Sequence, residues 1–176
     1  MSTTDVQALP AGAWQVDKIH SNIGFAVDYM AGTFHGTFSD FDAAATDGVL
    51  TGSAKVASVQ VKDENLAGHL QSPEFFDAQA HPELTFSSNA ISREGDRVAI
   101  DGEITIKGHT EATQITGEIS DPIADPHGGE RFGLKLQAVV DRDKFGVSWN
   151  NPLPSGEPAL SNEVMIIAEL QLSKQG

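Results

Sequence analysis

The chain has 176 residues and a formal net charge of −14 at pH 7, from 25 acidic and 11 basic residues. Because phosphate neutralisation needs clustered Lys and Arg, this charge argues against nucleic-acid binding and against an electrostatic hold on anionic lipid. The absence of cysteine excludes disulfides, thiolate nucleophiles and Cys-ligated metal.

The first residues are not expected to be a secretory signal. Residues 1–12 are small and polar and predict a mobile N-terminal tail, which leaves 13–176 as one domain. The start has neither a basic region nor an apolar core of a secretory signal, and no apolar run approaches the ~18 residues of a membrane helix. We therefore expect a cytoplasmic protein without integral membrane insertion, or a periplasmic or secreted one if the chain is processed.

Strand patterns dominate from Trp14 onward. Period-two alternation to about Tyr29 predicts a first strand pair, and a turn at Ala31-Gly32 leads into the next strand. The alternation breaks at Phe41, which predicts a bulge or bend. The stretch from Val49 to Val61 reads as one long strand that needs a bulge near Val56-Ala57, where the apolar parity switches.

The segment from Asp63 to Ala80 is the clearest helical stretch. Leu66 and Leu70 are one i,i+4 step apart and share a helix face. Ser72 and Pro73 are typical of the N-cap and first position of a second helical turn. Together with the adjacent Phe75 and Phe76, the segment predicts a helical lid over one end of a barrel.

The rest of the chain alternates again. A loop is predicted over 121–130 and a longer one over 150–162, each rich in proline and glycine. The predicted inward-facing positions are Leu84, Phe86, Val98, Ile100, Gly102, Ile104, Ile106, Ile115, Gly117, Ile119, Leu134, Leu136, Ala138, Val140, Phe145, Val147, Trp149, Val164, Ile166, Ala168, Leu170 and Leu172. One-sided alternation favours antiparallel pairing, and a sheet of about eight such strands tends to close. The fold class is therefore all-β, an extended antiparallel barrel with short helices between strands.

Several motifs resemble one known family in their order and spacing. They are Trp14-Gln-Val-Asp17 with His20-Ser21, Gly36-Thr-Phe38, Leu70-Gln-Ser-Pro-Glu-Phe75-Phe76-Asp77, His81-Pro82-Glu-Leu-Thr-Phe86, Gly102-Glu-Ile-Thr-Ile-Lys-Gly108, Asp141-Arg142, and Asn162-Glu163-Val164. The chain thereby resembles the YceI-like, polyisoprenoid-binding proteins with a lipocalin-like barrel. The resemblance implies a non-catalytic carrier that holds a polyisoprenoid, an isoprenoid quinone or a quinone precursor in a tunnel.

The candidate ligand-binding residues come from the apolar faces and the lid. They are Ile23, Phe25, Val27, Tyr29, Phe34, Phe38, Leu70, Phe75, Phe76, Phe86, Ile104, Leu136, Phe145, Val147, Trp149 and Ile166. The small inward residues Gly36, Gly102, Gly117, Ala138 and Ala168 favour an open tunnel by leaving room for a ligand. On the family pattern, the candidate contacts for a polar head group are Asp17, His20, Ser21, Arg142 and Asp143.

Other functions remain open at this level. A fatty acid or fatty amide is an alternative ligand, and an enzyme using His20 and Asp17 on a lipid is an alternative activity. A homodimer is also possible, since symmetric dimers are the commonest oligomers. The six histidines form no metal-binding spacing, no nucleotide or hydrolase motif is present, and we expect neither a metal nor a cofactor besides a bound lipid.

Overall fold

The computed structural model describes residues 8–73, 75–147, 153–156 and 159–175, and these form one sheet of twelve strands. The strands are β1 (Ala13–Val16), β2 (Asn22–Tyr29), β3 (Gly32–Phe38), β4 (Phe41–Thr46), β5 (Val49–Lys55), β6 (Val59–Gln60), β7 (Glu83–Glu94), β8 (Arg97–Ile106), β9 (His109–Ile119), β10 (Ile123–Ala124), β11 (Glu130–Asp141) and β12 (Leu160–Lys174). All neighbours pair antiparallel, as the one-sided alternation predicts.

Pairing of β11 with β12 closes the sheet into a barrel. β1 and β2 lie end to end along β12, so they are two halves of one barrel strand. β3 with β4, and β5 with β6, are split in the same way. Counted so, the described residues form an eight-stranded antiparallel barrel with β10 as a short addition beside β11. The predicted fold class is confirmed.

The strands are interrupted at the points where the buried residues switch between even and odd positions. Phe38 and Phe41 are both buried, and Ser39-Asp40 between them interrupts the strand, which confirms the break predicted at Phe41. The prediction of one strand from Val49 to Val61 is wrong, because a 3₁₀ turn over Val56–Ser58 separates β5 from β6. This turn lets both Val56 and Val59 be buried, whereas a continuous strand would place them on opposite faces.

Helical structure is brief in the described residues. The helix α1 spans Glu64–Leu70, and its N-cap Asp63 accepts a hydrogen bond from the Asn65 backbone. A 3₁₀ turn over Arg142–Phe145 replaces the start of the predicted Phe145–Trp149 strand, and Trp149 lies outside the described residues. No helix in the described ranges is long and apolar enough to cross a membrane.

The end of the barrel opposite α1 is packed solid. Trp14 and Phe132 are each 2% exposed and meet edge to face, with ring centroids 4.9 Å apart. Leu9 is 1% exposed, and Gly12 accepts a backbone hydrogen bond from Asp47. Residues 8–12 therefore pack against the barrel, with Leu9 and Trp14 in the same core, and residues 1–7 lie outside the described ranges. The mobility of the N-terminal tail stays a prediction.

Candidate functional site

A cavity of about 340 Å³ occupies the half of the barrel beneath α1. This volume falls in the range of ~300–1,000 Å³ that small-molecule sites have. Its lining is almost wholly aliphatic and aromatic, with a few Ser and Thr residues, Tyr29, His69 and Arg142 as polar exceptions. Such a space suits an apolar ligand and offers few groups to hold a polar one.

Four phenylalanines form one wall of the cavity. Phe25 contacts Phe34, Phe38 and Phe76 with ring centroids 5.8–6.3 Å apart, so strands β2 and β3 and the segment after α1 share one aromatic cluster. Phe38 also meets Phe76 edge to face at 6.3 Å. Each such pair is worth ~0.5–1.5 kcal/mol beyond the area it buries. The cluster therefore couples the lid to the barrel wall.

Inward glycines do not enlarge the cavity as the sequence suggests. A Cβ at Gly36 would lie 2.5 Å from the Phe25 ring, and one at Gly102 would lie 2.7 Å from the Phe86 ring. A Cβ at Gly117 would lie 1.8 Å from the Lys135 carbonyl oxygen. These glycines seat aromatic rings or allow two strands to approach, and their interpretation as ligand space is wrong.

The small residues that do border the cavity are alanines. Ala138 on β11 and Ala168 on β12 both line it, in accordance with their predicted inward orientation. The same cavity wall includes Ala43 and Ala54 on the split strands β4 and β5, which the sequence analysis did not assign to the site.

The lid is α1 together with the turns over residues 71–82. Leu66 and Leu70 face the cavity from α1, as the i,i+4 spacing predicts, and Phe75 and Phe76 follow from the turns. The predicted helix to Ala80 is wrong beyond Leu70. Ser72 is not an N-cap, because its hydroxyl donates back to the His69 carbonyl at 2.6 Å.

A lysine in the turn between β8 and β9 holds this lid in place. Lys107 Nζ donates to the carbonyl of Pro73 at 2.5 Å and to the carbonyl of Gly146 at 3.1 Å. Its backbone is left-handed (φ 53°), which belongs to the tight β8–β9 turn that it shares with Gly108. Lys107 thus ties the lid to the turn after β11, and we call these two hydrogen bonds the Lys107 latch.

The wall between β9 and β11 is open toward the lid. Among the described residues, β9 pairs with β11 only over Thr116–Ile119, although it pairs with β8 along almost its whole length. Phe145 and Val147 line the cavity beside this gap. The turn after β11 therefore completes the barrel wall where hydrogen-bonded strands do not.

The predicted apolar site residues converge on the cavity. Every one of them on the described residues lines it, from Ile23 on β2 to Ile166 on β12, while Trp149 cannot be placed. Lining residues that the prediction left out include Leu50, Leu84, Ile106, Ile115, Val140 and Val164. All of these except Leu50 were predicted to face inward by the alternation, but they were not included among the ligand contacts.

Arg142 is the one polar head-group candidate in the described chain that lines the cavity. It is 4% exposed, and its guanidinium donates to the carbonyls of Ser161 at 2.8 Å, Val147 at 2.7 Å and Leu160 at 3.3 Å. Burial lowers the pKa of Arg142 from its ordinary value, but arginine remains a cation in proteins. Its contacts hold the two ends of the β11–β12 loop together.

The other head-group candidates lie elsewhere. Asp143 is exposed and accepts a hydrogen bond from Asn162 at 3.0 Å. Asp17, His20 and Ser21 occupy the break between β1 and β2, and none of the three lines the cavity. The five predicted polar residues are therefore not brought together around one head group.

Asp17 is the centre of a surface ion-pair network. Its carboxylate lies 2.7 Å from His20 Nδ1 and 2.5 Å from Arg131 Nη1, and Arg131 also reaches Asp125. Hydrogen bonds from His20 and then from Arg131 hold the pKa of Asp17 well below its ordinary value of 3.8. Since this network lies outside the cavity, the alternative of a lipid-modifying enzyme based on Asp17 and His20 has no geometric support.

The histidines do not assemble a metal centre in the part of the chain that the structure describes. No group of three or more His, Asp or Glu side chains there could hold a metal ion. His69 stacks edge to face on Phe75 with centroids 4.8 Å apart, which is a structural contact within the lid.

Comparison with known proteins supports the same fold and family. The YceI-like domain profile matches residues 14–172. Protein YceI of Salmonella newport is 28% identical over 148 residues, which is 78% of each chain. The crystal structure of BcnA from Burkholderia cenocepacia superposes with a TM-score of 0.74 at 21% identity, covering 89% of this chain and 98% of that one.

A second solved structure, described as a polyisoprenoid binding domain from Saccharophagus degradans implicated in plant cell wall breakdown, superposes with a TM-score of 0.66 at 11% identity. It covers 92% of this chain and 98% of its own. At such identities the superpositions show the fold alone, whereas the profile match spans nearly the whole barrel. This protein belongs to the YceI-like family.

Proposed function

We propose that the protein is a non-catalytic carrier that encloses the apolar chain of an amphiphile such as a polyisoprenoid or isoprenoid quinone. The observation that carries this proposal is the apolar cavity closed by a Phe-bearing lid. The description of the Saccharophagus degradans domain as polyisoprenoid-binding is consistent with the same ligand class.

The cavity holds a chain but little else. Its volume of 340 Å³ lies in the range of small-molecule sites, and its lining is almost wholly apolar. Burial of each methylene is worth ~0.8 kcal/mol, so affinity should rise about fourfold per methylene while the chain still lies inside. The head group then lies toward the lid, where His69 and Arg142 line the cavity.

Two phenylalanine substitutions at neighbouring positions of β11 test the proposal. Ala138 lines the cavity, whereas Val139 is 56% exposed on the outer face. We expect Ala138→Phe to fill the cavity and weaken binding of a neutral long-chain amide by at least tenfold. Val139→Phe adds a ring of the same size outside and should leave binding unchanged.

Calorimetric titration of delipidated protein with dodecanamide measures both variants, and native mass spectrometry of freshly purified protein shows whether a lipid is carried along. Thermal melts establish that both variants are folded before titration. Equal affinities of folded Ala138→Phe and wild-type protein would place the ligand outside the barrel and refute the carrier.

A further inference from the structure

The cavity ends at a layer of packed side chains partway down the barrel. Leu172 on β12 pairs in register with both Val16 on β1 and Phe132 on β11, and it is fully buried. Beside it Trp14 and Phe132 meet edge to face. None of these four residues lines the cavity, and we call Trp14, Phe132 and Leu172 the floor.

The depth of the cavity above the floor can be estimated from the residues of β12 that line it. Leu160, Val164, Ile166, Ala168 and Leu170 line it in turn, and Leu172 is the next residue of the same parity. Leu160 pairs with Tyr29 and Ala168 pairs with Ile23 on β2, so the lining from Leu160 to Leu170 spans about eight strand residues once the irregularity after Leu160 is allowed for. Eight residues are ~26 Å along a strand, or ~20 Å along the axis of a barrel whose strands tilt by ~40°. An extended carbon chain advances ~1.25 Å per ~1.5 Å bond, so about sixteen carbons fit.

The cavity therefore has a defined depth, which admits about sixteen chain atoms. A tunnel running through the whole barrel, as the sequence suggests, would take a chain of any length. The observed cavity is blind, because Trp14 and Phe132 pack where the tunnel would continue.

We infer that the floor is a chain-length ruler: the protein encloses about sixteen carbons of an alkyl chain, or about four isoprene units, and leaves any excess outside the lid. This inference rests on the proposed carrier function and specifies its ligand class. Trp14 and Phe132 are the residues that set the limit. Phe132 pairs in register with Leu172, two residues beyond the lining residue Leu170, and its ring packs on that of Trp14.

The floor is held in place by local contacts rather than by a ligand. Trp14 Nε1 donates to the Ala11 carbonyl at 3.0 Å, and Trp14 pairs in register with Ala45, which is 1% exposed. Leu9 is buried in the same core. A closely packed floor does not move when a longer chain enters the cavity, so it can limit the length of the chain that is enclosed.

Two substitutions move the limit in opposite directions. Phe132→Ala removes a ring from the floor and opens space below it. Ala43→Leu adds three carbons to a residue that lines the cavity two positions before Ala45. Val98→Ala is the matched control, since Val98 is 3% exposed in the core but does not line the cavity.

The experiment is a chain-length series. Delipidated wild-type and variant proteins are titrated with primary amides of saturated chains from eight to twenty carbons, after thermal melts establish that each is folded. For the wild type we expect Kd to fall about fourfold per methylene up to about sixteen carbons and then to level off.

The break in this series should move to longer chains by two or more carbons in Phe132→Ala, to shorter chains in Ala43→Leu, and not at all in Val98→Ala. If Phe132→Ala does not fold, the shift in Ala43→Leu decides alone. A break that stays in place in every folded variant, or no break up to twenty carbons, overturns the ruler while leaving a carrier. Absence of saturable binding by the wild type at every length overturns the carrier and the ruler together.

Discussion

At the scale of single residues, inward-facing glycines determine how aromatic rings fill the space inside the barrel. Gly36 and Gly102 accommodate Phe25 and Phe86, so two residues that look like gaps in the sequence are filled in the structure. The alternation predicts which residues point inward, but it does not say which of their neighbours fill the space across the barrel. That pairing depends on register between strands far apart in sequence.

Gly117 is the glycine least able to change. Its Cβ would lie 1.8 Å from the Lys135 oxygen and 3.0 Å from the Leu136 Cα, both backbone atoms that cannot rotate away. We expect Gly117→Ala to lower the free energy of unfolding by about 3 kcal/mol or more by forcing β9 from β11. Urea denaturation measures the change.

The control is Gly68→Ala. Gly68 lies in α1 with no heavy atom within 4 Å of its added Cβ, so alanine should stabilise by about 0.5–1 kcal/mol. A Gly117→Ala protein as stable as wild type would show that β9 and β11 are farther apart than described here.

Asp17 gives the stability of the protein a dependence on pH. Because its pKa is lowered in the folded state, its ionised form stabilises the fold fully above the ordinary value of 3.8, and this contribution is lost as pH falls below that value. We expect Asp17→Asn to be less stable than wild type at pH 7, and the difference to shrink below pH ~4.

Denaturation of both proteins at a series of pH values measures this difference. A gap that stays constant down to pH 2 would mean that Asp17 acts through neutral hydrogen bonds and not through its charge. Sequence motifs placed Asp17 near His20, but Arg131 is more than a hundred positions away and its partnership with Asp17 could not be foreseen.

At the scale of elements, the long alternating strands were predictable and their interruptions less so. β8 and β11 follow the expected period-two burial closely. The stretch after β5 turns through a 3₁₀ segment instead, because the turn buries both Val56 and Val59, which a continuous strand would place on opposite faces. The lid was overpredicted as helix, since residues 71–82 satisfy their backbone groups through turns such as Phe76 N–H to the Leu70 carbonyl.

The Lys107 latch joins the lid to the turn after β11, so its loss should change the rate at which a ligand dissociates. Replacing Lys107 with methionine keeps the aliphatic stem but removes both hydrogen bonds from the lid and the β11 turn. We expect bound ligand to dissociate roughly fivefold faster or more, since charge-assisted hydrogen bonds are worth about 1.5–3 kcal/mol before exposure weakens them. Amide exchange over residues 75–81 should also speed up.

Stopped-flow displacement of a fluorescent fatty amide and hydrogen-exchange mass spectrometry measure the two effects. Lys135→Met is the control, because Lys135 is exposed on β11, away from the lid. Unchanged dissociation in Lys107→Met would mean that ligand leaves through the gap between β9 and β11 without movement of the lid.

At the scale of the whole molecule, an acidic exterior encloses an apolar cavity with a blind end. The net charge of −14 and the residues that face inward were both predictable from the sequence. The blind end was not, because Trp14 and Phe132 are more than a hundred positions apart and meet only when the barrel closes. Their contact converts an expected tunnel into a cavity of defined depth.

The central claim is that an apolar chain lies inside this cavity with its end near the floor. A crystal structure of the protein loaded with 16-bromohexadecanamide tests it most directly, because bromine can be located by its anomalous scattering. The account predicts a bromine peak within van der Waals distance of Leu50 and Leu170, with the amide toward Arg142. A bromine peak on the outer surface, or a cavity empty of ligand density at saturating amide, would contradict it.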